Sequence, residues 1–311
     1  MPAPSETARP LNGPGHARPE PRRAFWRRRR TREAGLAAIF LAPSAAIFTV
    51  FFFYPIGRIM YLGLFQQNQT RTKQRYVGLR QYTDVLTGPD FTEGLAITLK
   101  YVVLTVPAGL VLGVLLAVAA NRRLRGIKVF HTIFASTVAT SVAVASIVWL
   151  VLINPTVGYF KVDWLRDTGM ALFGVSLSSI WQNLGLTFII VLAGLQAIPE
   201  ELEEAATIDG MGPLRRFFTV TLPMLSPALL FLVVVLTVFA FQAFAQIDIL
   251  TEGGPAGATE TLVFKIFKRQ QGGAVGEGSV MAVGLFVITF VFALSQFMLL
   301  ERRVHYGSNR K

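Results

Sequence analysis

Apolar residues gather along the chain into six long runs: Leu36 to Tyr54, Tyr101 to Ala120, Val129 to Ile153, Ile180 to Ile198, Pro227 to Ile247 and Val280 to Leu300. None of them contains Asp, Glu, Lys or Arg. Each is close to the roughly 20 residues that an α-helix needs to cross the hydrocarbon core of a bilayer. The runs are too long for barrel strands and lack strict alternation. A helix satisfies all of its own backbone hydrogen bonds, and an open strand in lipid does not. The pattern therefore predicts an all-α membrane protein with six transmembrane helices.

Composition agrees. The chain is 52% hydrophobic and 15% charged, against about 25% charged for an ordinary soluble domain. The net charge of +12 would suit nucleic acid if it were clustered on one face. Instead, nine of the 30 Lys and Arg residues precede the first apolar run, and most of the others lie between runs. Basic residues placed this way set topology. With the N-terminus in the cytoplasm, the inside segments 1–33, 121–128, 199–225 and 301–311 hold 19 of them, and the longer outside segments hold 11. The short basic loop Asn121 to Lys128 decides the orientation, and both termini are then expected to be cytoplasmic. There are no cysteines, which excludes disulfides and thiolate metal sites. Three scattered histidines do not suggest a metal centre, and no metal ligands are assigned.

The connecting segments add detail. Residues 1–33 are rich in Pro, Arg and Gly and read as a disordered basic tail, followed by the six-helix membrane domain at 34–311. Arg27 to Arg30 would hold the tail at the membrane surface. The first run continues through Phe51, Phe52 and Phe53, too far for a signal peptide. Tyr54-Pro55 and Asn154-Pro155 read as helix ends, because proline disfavours a helical residue before it. Tyr159, Trp164 and Trp181 fit an interfacial aromatic belt. Asp163 to Gly174 is expected to form a short amphipathic helix on the outer surface. His131, at the start of the third run, reads as interfacial.

The segment 199–225, between the fourth and fifth runs, has the most distinctive local chemistry. Pro199 followed by Glu200, Glu201, Glu203 and Glu204 makes a good helix N-terminus, since acids there complement the helix dipole. Gly210 and Gly212 end that helix, and Pro213 opens a second. Arg215 and Arg216 give the second helix a basic face; Phe217, Val220 and Leu222 give it an apolar one. Two short helices meeting at a glycine bend are expected on the cytoplasmic surface.

In this segment Glu204, Ala205, Ala206, Asp209, Gly210, Phe217, Leu222 and Pro223 fall in the register of the EAA signature, and the chain resembles the permeases of bacterial ABC importers. Met211 departs from the small residue usual after the glycine. The likeness extends over most of the chain through Leu41-Ala42-Pro43, Tyr54-Pro55, Asn154-Pro155-Thr156-Val157-Gly158 and Gln196-Ala197-Ile198-Pro199. These stretches are similar to those of carbohydrate-type importers with a maltose-permease-like subunit. Thr251-Glu252-Gly253-Gly254-Pro255 and Ala258 to Phe267 look most like the A-type permeases of glycerol-3-phosphate and glycerophosphodiester importers. The resemblance implies a type I ABC importer permease fold in a bacterial inner membrane. It implies a second, related permease, two ATP-binding subunits that hold the ATP and Mg, and an extracytoplasmic solute-binding protein. No cofactor is expected in this chain itself. Within the resemblance the loop is the coupling helix. Ala205 and Ala206 allow close packing, Glu204 and Asp209 present charge, Gly210 makes the bend, and Arg215 and Arg216 lie on the following helix.

Polar residues inside apolar runs are candidates for a solute path. Gln242 and Gln246, four apart, are expected to share one helix face, with Asp248 just beyond. Asn183 and Thr187 share another face, and Trp181 and Asn154 lie toward the outer ends. Ser146 and Thr237 are secondary candidates. Interhelical hydrogen bonding explains each of these residues equally well. Lys265, Lys268 and Arg269 are expected on the outer side, either steering an anionic solute or forming a solvated basic face or a docking patch for the solute-binding protein. No G-x-x-x-x-G-K-[ST] phosphate loop occurs, so this chain is not expected to hydrolyse ATP or to be an enzyme. An ion-gradient-driven transporter would call for ionisable residues within the runs, and there are none. A maltose or trehalose importer with the same machinery remains an alternative.

Overall fold

Residues 36–67, 74–121 and 126–301 are described in a computed structural model of the chain. The expected basic tail at 1–33 lies outside them, as do Arg122, Arg123 and Arg125 of the basic loop. The chain divides into two units, Met1–Gly57 and Arg58–Lys311. The first holds most of helix α1 (Leu36–Leu62), which contains a π-helical turn at Thr49–Phe53. The second begins with a small antiparallel hairpin, β1 (Phe65–Gln67) and β2 (Gln74–Tyr76), with Phe65 opposite Tyr76. It continues through α2 (Arg80–Leu86), α3 (Pro89–Ala120), α4 (Ile127–Ala139), α5 (Val142–Leu152) and α6 (Ala171–Gln196). Then come α7 (Glu200–Ile208), α8 (Pro213–Met224), α9 (Ser226–Phe241), α10 (Ala245–Leu250), α11 (Leu262–Gln271) and α12 (Val275–Glu301).

Among the described residues, four helices, α1, α3, α6 and α12, are long and apolar enough to cross a bilayer unbroken. Two further candidates are bent pairs: α4 and α5 meet at 109°, and α8 and α9 at 69°. The uninterrupted helix expected at Val129 to Ile153 is therefore corrected to two helices that break at Thr140 and Ser141. The fifth run also breaks, between Phe241 and Ala245. Gln242 and Gln246 consequently do not lie on one face of one helix. Each break leaves a carbonyl that a side chain from another element satisfies. Gln182 Nε2 donates to the Thr140 carbonyl, and Thr261 Oγ1 to the Ala243 carbonyl, both at 3.4 Å. The expected helix at Asp163 to Gly174 is also corrected, to one 3₁₀ turn at Trp164–Arg166. There the Asp167 carboxylate accepts from the Gly169 and Met170 amides at 2.7 and 3.2 Å. That side-chain cap stops the turn before α6 begins.

Helices α3, α6 and α12 begin well before their apolar runs. The start of α3 shows why: Pro89 occupies the first turn with Asp90 beside it, and both suit a helix N-terminus. Helices α3 and α6 form the most extensive helix pair. Glycine lets them approach, as small residues do between membrane helices. A Cβ at Gly113 would collide with the Thr187 side chain; Gly185 gives the same freedom between α6 and α4, where a Cβ would collide with Thr137 and the Phe134 carbonyl. One core cluster includes Tyr101, Val106, Leu236, Ala240 and Ile247. A second, toward the 199–225 loop, includes Ala117, Phe188, Leu195, Leu225 and Leu232. Large apolar side chains such as Val103, Phe231 and Phe290 face outward, as lipid-facing residues do.

Gly113→Val is expected to lower the unfolding midpoint of the detergent-solubilised protein by several degrees, because overpacking a fitted interface costs about 1–3 kcal/mol. A Cβ at Gly109 meets nothing within 4 Å, so Gly109→Ala should leave the midpoint unchanged or raise it. Differential scanning fluorimetry on both variants checks the contrast.

Candidate functional site

A cavity of about 490 Å³ opens where the two internal breaks meet. Val142, the first residue of α5, lines one side; Gln242, Phe244 and Gln246, spanning the α9–α10 break, line another. Helices α3 and α6 complete it with Tyr101, Thr105, Gly109, Ser179, Gln182 and Asn183. Beyond the cavity, α5 and α10 pack against each other. The Tyr101 and Ser179 hydroxyls hydrogen-bond across the α3–α6 seam, both buried. Among the described residues that line the cavity, none is Asp, Glu, Lys, Arg or His. The wall offers hydroxyls and carboxamides, each of which donates and accepts, over an apolar floor. Such a wall matches a solute rich in hydroxyl groups.

The path residues expected from the sequence separate into two groups. Gln242, Gln246 and Asn183 come together at the cavity. The two glutamines arrive there because the chain breaks between them, not through a shared helix face. Thr187 does not reach it; it is fully buried against Gly113 and donates to the Asn183 carbonyl at 3.1 Å. Asn154 caps a turn, accepting from the Thr156 and Val157 amides at 2.8 and 3.1 Å. Asn154 instead lines a separate cavity of about 410 Å³, with Asp163, Arg166 and Glu252. Asp248 and Trp181 are half-buried outside both cavities. Ser146 and Thr237 hold helices: Ser146 donates to the Val142 carbonyl at 2.8 Å, and Thr237 accepts from Gln296 at 3.0 Å. His131 lies 3.1 Å from the Ala120 carbonyl and edge-on to Phe188. Sequence reasoning missed Tyr101, Ser179 and Gln182. Tyr101 and Ser179 sit at the edges of apolar runs, where they read as span ends, and nothing local distinguishes Gln182 from its neighbours.

The segment 199–225 folds as its local chemistry dictates. Helix α7 follows Pro199, with Glu200, Glu201 and Glu203 in its first turn. It closes with a paired C-terminal motif: the Gly210 amide donates to the Thr207 carbonyl and the Met211 amide to the Ala206 carbonyl, both at 3.0 Å. This double bond pattern needs a left-handed residue at the position after the cap, and Gly210 supplies it with φ +71°. Met211 and Ala206 occupy the positions that the motif brings into contact, and Ala206 is buried. Arg216 reaches back to Thr207 at 3.4 Å, tying α8 to α7. Glu204, Ala205, Asp209 and Arg215 are exposed. So are the large apolar residues Leu202, Ile208, Leu214 and Phe218, with Ile208 86% exposed. At the far end of the elbow Phe217, Met224 and Leu225 enter the core cluster of α3 and α6. These contacts join the elbow to helices that also line the cavity.

The expected basic face at Lys265, Lys268 and Arg269 is corrected. Lys265, with only 9% of its side chain exposed, bridges Asp90 and Glu93 of α3 at 3.6 and 3.2 Å. Lys268 pairs with Glu260 at 2.6 Å, and Arg269 with Asp90 and Glu277. The cations fasten α11 to the starts of α3 and α12 and present no free positive patch. The preceding loop is equally constrained: Thr259 is fully buried and bonds both Thr251 and the Gly254 carbonyl.

A family model described as "binding-protein-dependent transport system inner membrane component" matches residues 109–306. The sn-glycerol-3-phosphate transport system permease protein UgpA of Brucella abortus is 37% identical over 281 residues, spanning 86% of this chain and 95% of the relative. The protein of the same name from Agrobacterium fabrum is 36% identical over 286 residues, spanning 88% and 97%. Among solved structures, a chain of a bacterial ABC transporter involved in the import of the acidic polysaccharide alginate superposes with a TM-score of 0.75 at 20% identity. That superposition covers 90% of this chain and 99% of the other. At that identity the likeness is one of fold. The family match spans well over half of the sequence, including the cavity-lining breaks and the elbow. This chain therefore belongs to the binding-protein-dependent transport system inner membrane components, multi-pass proteins of the bacterial inner membrane.

Proposed function

We propose that the chain is one of two permease halves of an ATP-driven importer for sn-glycerol 3-phosphate or glycerophosphodiesters such as glycerophosphocholine. The observation that carries the reading is the convergence of two broken helices on one uncharged cavity lined by amides and hydroxyls. Irregular backbone within the apolar layer is tolerated where it lines a wet cavity, and transporters place solute sites at such breaks. The names of the UgpA relatives supply the solute class. The uncharged cavity wall specifically favours one second reading, a neutral oligosaccharide such as maltose or trehalose.

In the proposed assembly each bent pair counts as one span. The chain then has six spans, with both termini and the elbow in the cytoplasm. The second half is a related permease. Two ATP-binding subunits, carrying ATP and Mg, dock on the two elbows, and a solute-binding protein delivers cargo from outside. Ile208, Leu214 and Ala205 provide the apolar contact at the elbow, while Glu204, Asp209, Arg215 and Arg216 set its charge register. Closure of the ATPases moves α7 and α8, and Phe217 and Leu225 carry that motion into α3, α6 and α9. The cavity then exchanges between outward and inward access, a two-state transition biased by a remote ligand.

Two outcomes test this reading. Glu204→Lys in the assembled complex should lower solute-stimulated ATPase by about tenfold or more, the scale of reversing a charge at a docked surface, with the protein still inserted and folded. ATPase assays on purified complex in nanodiscs measure it. Gln182→Leu with Gln242→Leu should reduce solute uptake by roughly ten- to thirtyfold, since each lost hydrogen bond is worth about 1 kcal/mol. Uptake by proteoliposomes, scored against wild type at equal incorporation, checks the double variant.

A further inference from the structure

Under this reading the solute carries a phosphate, yet among the described residues no cationic side chain lines the cavity. Lys265, Lys268 and Arg269 are each already paired with carboxylates. A phosphate that leaves bulk water for a protein cavity needs donors aimed at it. Helix α5 offers them. Its capping residue Ser141 accepts the Val144 amide on its side chain at 3.3 Å and the Ala145 amide on its carbonyl at 2.9 Å. The amides of Val142 and Ala143, the first two of the helix, have no partner among the described residues. Val142 lines the cavity, and the start of an 11-residue helix is its electropositive end.

A second, independent feature faces the same space. Gln246 is only 8% exposed, lines the cavity, and makes no side-chain hydrogen bond to any described residue. With most of the residue buried and no partner for its side chain among the described residues, its carboxamide is left open to the cavity and available to a solute there. Gln242 and Asn183 line the same cavity, also with free side-chain amides. The 109° turn that exposes the α5 N-terminus is held by Gln182, through its bond to the Thr140 carbonyl.

Building on the proposed solute class, we propose that the phosphoryl group of the transported solute is bound at the N-terminus of α5, by the Val142 and Ala143 amides together with the Gln246 carboxamide. Binding through neutral donors leaves no buried cation behind after release, which suits a site that must let its anion go.

A charge series at Gln246 tests the proposal. Gln246→Glu, Gln246→Leu and Gln246→Lys are prepared in the full complex with its partner permease, ATP-binding subunits and binding protein. Uptake of sn-glycerol 3-phosphate into proteoliposomes is then measured at equal incorporation. The expected order is Lys above Leu above Glu, with Glu at least about tenfold below Leu because like charges would be juxtaposed. Equal uptake by all three variants would overturn the proposal. If the Gln246 variants do not assemble, the same series at Gln242, which is exposed to the cavity, must give the same order, and a flat series there overturns it equally. Wild-type complex that imports maltose or trehalose but no phosphorylated polyol would instead overturn the solute class itself.

Discussion

Lipid cannot hydrogen-bond a backbone, and the architecture of this chain follows from that constraint. Most of the apolar sequence is therefore helical from end to end. Where the helices break, at Thr140–Ser141 and at Gln242–Phe244, the freed groups must find partners or water. Gln182 and Thr261 each satisfy one released carbonyl, and Val142, Gln242, Ala243 and Phe244, beside or within the breaks, line a common cavity. The breaks and the cavity go together: the breaks bring Val142, Gln242 and Gln246 to the wall that Tyr101, Ser179, Gln182 and Asn183 of the unbroken helices share.

The rest of the fold holds this arrangement in place from two ends. At one end Lys265 and Arg269 of α11 reach acids at the starts of α3 and α12, so the loop after α10 cannot drift. Thr98 adds a hydrogen bond from its hydroxyl to the Leu262 amide at 2.9 Å. At the other end the elbow of α7 and α8 is seated on the α3–α6 pair through Phe217 and Leu225. The cavity lies between the ion-paired α11 and the elbow, the layout that the proposed driven transport would use.

How much of this was legible in the sequence depended on the range of the interactions. Six apolar runs stand where the spanning helices and bent pairs lie, because hydropathy is a property of each segment alone. The elbow was legible to the residue, since Pro199, the acids, Gly210 and Pro213 act within a few positions of themselves. The breaks were not. Thr140, Ser141, Gln242 and Ala243 include neither proline nor glycine, and their helix ends because side chains from α6 and the start of α11 compete for their carbonyls. The ion pairs of Lys265 with Asp90 and Glu93 were equally hidden, being contacts between residues more than 170 positions apart. Without them a run of cations reads as a free surface. Tyr101 and Ser179 were missed because a hydroxyl at the edge of an apolar run marks a span end as readily as a site. Thr187 shows the converse: a polar residue in mid-span that serves packing against Gly113.

The absence of native cysteine allows the central claim, that both breaks open onto one wet, solute-accessible cavity, to be tested directly. Single cysteines at Val142, Asn183, Gln242 and Thr187 can be probed with a small hydrophilic thiol reagent in the assembled complex, with and without solute-loaded binding protein and ATP. The account predicts rapid labelling at 142, 183 and 242, which line the cavity, that transported solute slows, and no labelling at 187. Unreactive cysteines at both 142 and 242, or labelling indifferent to solute at all of these positions, would contradict it.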